Sequence, residues 1–300
     1  MIRSFIILLI FFLSTLAGRS QAPVVSSGTI VHYERFPSRY VQPRNVDVWL
    51  PEAYTSLRKY AVLYMHDGQM LFDSTLNWNR QEWSVDETLA TLLQKGLVRN
   101  TIVVGVWSNS EYRLSEYFPQ KPLNTLPATM RDSLIAGPLM NRAQADNYLR
   151  FLVRELKPFI DSAYATRRDK ANTMVAGSSM GGLISLYAIC EYPAVFGAAA
   201  CLSTHWPGTL QGQYEAIPNA FVSYARQKLP SPKDHKIYFD YGTETLDRLY
   251  KPHQERVDKV MHARGYRTRQ WITREFPGED HSEKAWGRRL HIPLQFLLGQ

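Results

Sequence analysis

The sequence predicts an α/β fold, a mostly parallel central sheet with helices on both faces. Three observations predict it. Short apolar runs of β-type residues alternate with helix-patterned segments along most of the 300 residues. At 45% hydrophobic and 12% aromatic, the chain is long enough for one large α/β domain with a well-buried core. A strand-like run, a glycine-serine turn and a helix-like run follow one another around Gly177 to Gly182.

In chain order, the first element is a leader. Met1, Ile2 and Arg3 precede an apolar run from about Phe5 to Leu16, and small and polar residues including Ala17, Gly18 and Ala22 follow, the order of a signal peptide over residues 1–22. About 12 apolar residues would rise only ~18 Å as a helix, short of the ~30 Å hydrocarbon core, so no permanent membrane span is expected. No Cys follows the run to accept a lipid. The leader places the protein outside the cytoplasm, secreted or periplasmic, and leaves residues 23–300 as a single domain.

Strands are predicted at Gly28 to Glu34, Asn45 to Leu50, Tyr60 to Met65, Thr101 to Trp107, Thr173 to Gly177, Phe196 to Leu202, Lys236 to Tyr241 and Arg269 to Phe276. Between them, Leu149, Leu152, Val153 and Leu156 form the core stripe of a helix from Ala143 to Leu156, continued by Phe159 and Ile160 past Pro158. A second helix runs from Met180 to Glu191 and stops before Pro193. Two longer connections, Ser108 to about Asn141 and Thr204 to about His235, leave carboxyl ends of strands, where open α/β sheets bind ligands. They are candidate substrate walls or a partial lid.

The formal charge of +8 is spread along the chain with no aromatic-interleaved basic stripe, which argues against nucleic-acid binding. The two cysteines, Cys190 near a helix end and Cys201 near a strand's carboxyl end, fall close to ~20 Å apart in this topology. That is beyond the ~7 Å limit for a disulfide, so two buried free thiols are expected.

Gly177, Ser178, Ser179, Met180 and Gly181 match G-x-S-x-G, with Gly182 following. The glycines keep side chains out of a strained turn that presents Ser179, and the helix behind it points free N–H groups toward a reacting oxygen. A serine hydroxyl needs a base, and the order Ser, acid, His expected of this turn favours the late histidines. Of eight histidines, His281 fits best, because Pro277 to Asp280 form a loop between the last strand and a helix opening at Ser282. The acid falls just past the Lys236 strand, at Asp247 or alternatively Glu244. Asp240, inside the strand, and Asp280, adjacent to the histidine, suit the role less well. Two amides would hold an oxyanion: that of Met180, after the nucleophile, and that of Gln69 in the loop His66 to Asp73, with Met70 second. Arg113, Tyr117 and Trp206 are candidate substrate-binding residues. This chemistry calls for no metal or organic cofactor.

Several segments together resemble the "Putative esterase" family of α/β-hydrolases, which includes feruloyl esterases, S-formylglutathione hydrolases, siderophore esterases and mycolyltransferases. They are His66 to Gln69, Val104 to Trp107 with Arg113, Glu116 and Tyr117, Gly177 to Gly182, and Gly278 to Glu283 with Trp286. The resemblance runs from about residue 30 onward. It implies the α/β-hydrolase fold, a nucleophile at Ser179 and a base at His281. It leaves the acid open, because the position that is commonly acidic in the family is Thr245 here, between Glu244 and Asp247. The activity implied is a serine esterase acting on a small-molecule or carbohydrate-linked ester through an acyl-enzyme. Alternatives are an acyltransferase using the same intermediate and a non-catalytic binding protein on the same fold.

Overall fold

Along the strand Ala61–His66, side chains at alternate positions enter two different cores: Val62 and Tyr64 face one way, Ala61, Leu63 and Met65 the other, and all are buried. A strand apolar on both faces must be covered on both faces, which fixes the architecture. A computed structural model of the chain describes residues 21–210 and 214–299. The predicted leader lies outside the described residues apart from positions 21 and 22. No helix among the described residues is long and apolar enough to cross a membrane.

Eight strands form one sheet: β1 (Thr29–Phe36), β2 (Arg44–Leu50), β3 (Ala61–His66), β4 (Thr101–Val106), β5 (Thr173–Ser178), β6 (Ala198–Leu202), β7 (Lys236–Gly242) and β8 (Trp271–Phe276). Their order is β1-β2-β4-β3-β5-β6-β7-β8. The pairs β1–β2 and β2–β4 are antiparallel, and every pair from β4 to β8 is parallel. All eight predicted strands are present, with ends shifted by one or two residues. The register pairs Ser178 with Leu202, Leu202 with Asp240, and Gly242 with Phe276, so the carboxyl ends of β5 to β8 share one edge.

One face of the sheet carries α1 (Val85–Gln94), and the helices of the long connections follow: α2 (Arg113–Tyr117), α3 (Gln120–Leu123) and α4 (Ala128–Ala136). Next come α5 (Ala145–Phe151), α6 (Lys157–Ala163), α7 (Met180–Glu191), α8 (Ala216–Lys228) and α9 (Lys251–Ala263). The chain closes with α10 (Glu283–Arg289) and α11 (His291–Leu298), which return to the face of α1. Phe118 of the first long connection meets Phe221 of α8, ring centroids 5.3 Å apart, so the two connections pack on each other.

The predicted Ala143 to Leu156 helix continues to Ala163, but not as an unbroken α-helix. Residues Leu152–Leu156 form a π turn, in which the Lys157 N–H donates to the Leu152 carbonyl five residues back. Pro158 explains it: the ring would collide with the carbonyl four residues earlier, and a widened turn relieves that contact. The stripe still buries Leu149, Leu152, Leu156 and Ile160.

Cys190 and Cys201 are both free and buried. Burial pushes the Cys201 thiol up, and the neighbouring Cys190 adds to it. Both cysteines belong to the core on the α7 side of the sheet.

Candidate active site

Ser179 stands between β5 and α7 with φ 58° and ψ −123°. A non-glycine residue holds such a conformation only when its surroundings impose it. Here the Ser179 amide donates to the Leu202 carbonyl at 2.9 Å, pinning the turn to the end of β6. A Cβ on Gly177 would come 2.8 Å from the Gly181 carbonyl oxygen, which is why that position is glycine.

The candidate acid and base come from neighbouring loops. A short 3-10 turn after β7, Thr245–Leu249, carries Asp247, whose Oδ1 lies 2.6 Å from His281 Nδ1. Asp247 Oδ2 accepts from the Gly242 amide at 2.6 Å and from Ser203 Oγ at 2.5 Å. Burial alone would raise this carboxyl, but the hydrogen bond and charge of His281, with the Ser203 and Gly242 donors, outweigh it and hold Asp247 below the usual carboxylate range. Glu244 is exposed, and among the described residues its carboxylate accepts only from Thr243 Oγ1. Thr245, at φ 50°, uses its Oγ1 to accept the His281 amide at 3.0 Å, which fixes the histidine's backbone. A Cβ on Gly242 would fall 2.1 Å from the Glu279 carbonyl oxygen; only glycine lets the two loops meet.

Behind Asp247 lies a buried support that sequence reasoning missed. Ser203 Oγ accepts from Trp286 Nε1 at 2.9 Å and from Arg289 at 3.0 Å, while Arg289 also pairs with Asp240 at 2.9 Å. The detectable signal was the polar run Ser203, Thr204 and His205 directly after an apolar strand, with no turn residue to account for it. Asp240 supports structure, as its place inside the strand implied.

The loop after β3 bends at Asp67, in the left-handed region at φ 55°. The Met70 amide is taken by the Asp67 carbonyl at 2.9 Å, which removes it as an oxyanion donor. No carbonyl outside its own helical turn takes the Gln69 or the Met180 amide among the described residues. A Cβ on Gly181 would lie 3.4 Å from Asp67 Oδ2, which places this loop over the start of α7. Arg113 grips the Asp67 carboxylate twice, at 2.7 and 2.8 Å, and holds it below the usual range against the opposing effect of burial.

A family model described as "Putative esterase" matches residues 38–294. The chain belongs to this esterase family. It is 23% identical over 266 residues to the uncharacterized protein YbbA of Bacillus subtilis, covering 86% of this chain and 93% of that one. A CE1 ferulic acid esterase from Anaeromyces mucronatus, solved in complex with ferulic acid, superposes with a TM-score of 0.62 at 19% identity over 92% of this chain and 93% of that one. The enterobactin esterase of Shigella flexneri, solved with 2,3-dihydroxy-N-benzoyl-glycine, gives 0.63 at 17% identity, covering 92% of this chain and 60% of that one. The fold is therefore that of the α/β-hydrolase esterases.

Within this esterase-family chain the three substrate-binding candidates part company. Arg113 is 30% exposed beyond its grip on Asp67. Tyr117 and Trp206 are closed off from solvent, which corrects the expectation that they present a binding surface. The Tyr117 hydroxyl accepts the Asp67 amide at 3.3 Å beneath the Arg113 guanidinium, and Trp206 Nε1 donates to Gln254 at 3.0 Å. Both are large rings whose polar atoms are satisfied inside the protein, so they brace the loops that carry them. No group of three or more His, Cys, Asp or Glu side chains arranged to hold a metal occurs among the described residues.

Proposed function

We propose that this chain is a serine esterase that cleaves a small-molecule or carbohydrate-linked ester, exported through residues 1–22. The observation that carries the reading is the buried, ionised Asp247 held against His281 Nδ1, in loops beside the strained Ser179 turn. His281 Nε2 takes the Ser179 proton as Oγ bonds to the ester carbonyl carbon. The Met180 and Gln69 amides receive the oxyanion. His281 returns the proton to the departing alcohol, and water then attacks the acyl-enzyme by the same route to release the acid. The chain's structural similarity to ferulic acid and enterobactin esterases supports an aromatic acyl group as the first class to try, with Arg113 at the mouth of the site to meet a polar or anionic part.

A fluorophosphonate probe on the purified protein is expected to label the wild type and not Ser179→Ala. Hydrolysis of short acyl, feruloyl, acetylated-sugar and catecholate esters then ranks substrates, with His281→Ala as the control. Turnover that survives in His281→Ala would sink the mechanism. Recovery of the expressed protein wholly in the cytoplasm with residues 1–22 attached would sink the export reading.

A further inference from the structure

The Gln69 side chain is tied to the first residue of the connection after β4. Its Oε1 accepts the Ser108 amide at 3.1 Å, and its Nε2 donates to Ser108 Oγ at 2.8 Å. The carboxamide thus spends both of its polar atoms on one residue. Two positions earlier, Arg113 of the same connection holds the Asp67 carboxylate at 2.7 and 2.8 Å. The connection therefore grips the loop after β3 at residues 67 and 69.

We propose that Ser108 is a positioning residue that acts through the Gln69 side chain, the paired hydrogen bonds holding the Gln69 amide where the ester's oxyanion develops. The inference rests on the serine-esterase reading and assigns a support to its oxyanion site.

The turn that carries the amide needs such a support. It is a single 3-10 turn, Gly68–Met70, and its closing bond from the Leu71 amide to the Gly68 carbonyl is long, at 3.4 Å. Gly68 offers no side chain, because a Cβ there would fall 2.5 Å from the Gly105 carbonyl carbon of β4. Of the three residues in the turn, only Gln69 has a side chain with strong hydrogen-bonding groups. An oxyanion donor works within a narrow range of distance, about 2.7–3.1 Å, and a shift of ~1 Å in a reacting group costs up to ~10²-fold. Fixing the side chain to Ser108 fixes the backbone that bears the donor. The contributions of the two partners can be separated. Ser108→Ala removes the hydroxyl and keeps the Ser108 amide on Gln69 Oε1, whereas Gln69→Ala breaks both bonds and keeps the Gln69 amide itself.

A double-mutant cycle with p-nitrophenyl acetate tests the proposal, alongside inhibition by a trifluoromethyl ketone, whose adduct with a serine carries an oxyanion. Gln69→Ala should lower kcat about 10- to 100-fold with KM within about 2-fold, and Ser108→Ala should lower it about 3- to 10-fold. The double variant should be no slower than Gln69→Ala alone, because the second change has no bond left to break. The inhibition constant of the ketone should rise by the factor lost in kcat/KM. Unchanged kcat in folded Gln69→Ala, losses that multiply in the double variant, or ketone affinity that stays at the wild-type value overturns the proposal. If Gln69→Ala does not fold, Gln69→Asn takes its place with the same expectations, its carboxamide one methylene short of Ser108. Wild-type protein that neither reacts with a fluorophosphonate at Ser179 nor hydrolyses an ester brings down the esterase reading, and this one with it; an active wild type with unchanged variants brings down this inference alone.

Discussion

The Asp247 side chain is out of water yet stays ionised, because three donors converge on its two oxygens. Such a carboxylate fixes the tautomer of the histidine it faces, so Asp247→Asn should lower kcat about 10⁴-fold. Glu244→Gln, altering an exposed side chain, should leave kcat within about 2-fold. Steady-state hydrolysis of p-nitrophenyl acetate by the two purified variants checks both; the reverse ranking would make Glu244 the acid. Buried histidines set a pH dependence of stability. Burial lowers His66 from 6.5 to about 3 and, with the His281 charge, His205 to about 4. A lowered folded value means that the unfolded chain binds protons first as pH falls. The stability is therefore complete above 6.5 and is lost progressively below it. Each imidazole should remove ~1.4 kcal/mol per pH unit in that window. Urea unfolding of the wild type and His66→Gln between pH 7 and 5 measures the slope, which should be shallower in the variant.

At the scale of elements, the proposed base depends on the helix behind it. Ser282 caps α10 by accepting the Ala285 amide at 3.2 Å, one residue after His281. Losing such a cap costs about 1 kcal/mol, and here it frees the loop carrying the base. Ser282→Ala should lower the thermal midpoint by ~2–4 °C and reduce kcat more than it raises KM. Calorimetry and steady-state kinetics on one preparation would show whether the two losses travel together. The π turn at Leu152–Leu156 illustrates the limit of periodicity as a guide. The apolar stripe was legible through Ile160, whereas the widened turn was not. Hydrophobic spacing reports which face is buried, and a single inserted ladder position hardly disturbs it.

For the molecule as a whole, the first long connection is tied to the sheet by a buried ion pair. Arg44 of β2 donates to both Glu116 oxygens, at 2.8 and 2.7 Å, with both side chains almost without exposure. Burial opposes the Arg44 charge, but Glu116 raises its pKa on balance. Removing one partner leaves the other charged in the interior, so Glu116→Ala should cost about 3–5 kcal/mol. Chemical unfolding measures it; a loss below about 1 kcal/mol would mean that the connection is held by apolar packing alone. The same scale explains why the proposed oxyanion loop and the proposed nucleophile meet. Parallel pairing brings the carboxyl ends of β3 and β5 side by side, although about a hundred residues separate them in sequence.

The sequence by itself determined the α/β sheet, its eight strands and the strand-turn-helix around Ser179, because those rest on local alternation and on glycines adjoining the residue they serve. It also narrowed the candidate acid to two neighbours. Tertiary structure decided what depends on contacts between distant segments. Asp247 rather than Glu244 turns inward to His281 because Gly242 allows the loop bearing Glu279 to pass at contact distance. Tyr117 and Trp206 are interior braces, although as aromatics in long connections they read as surface. Ser203, with Trp286 and Arg289 behind it, could be assigned only once β6, α10 and the acid loop were in place. Nothing within a few residues of a serine or a tyrosine says which buried group will need its hydroxyl.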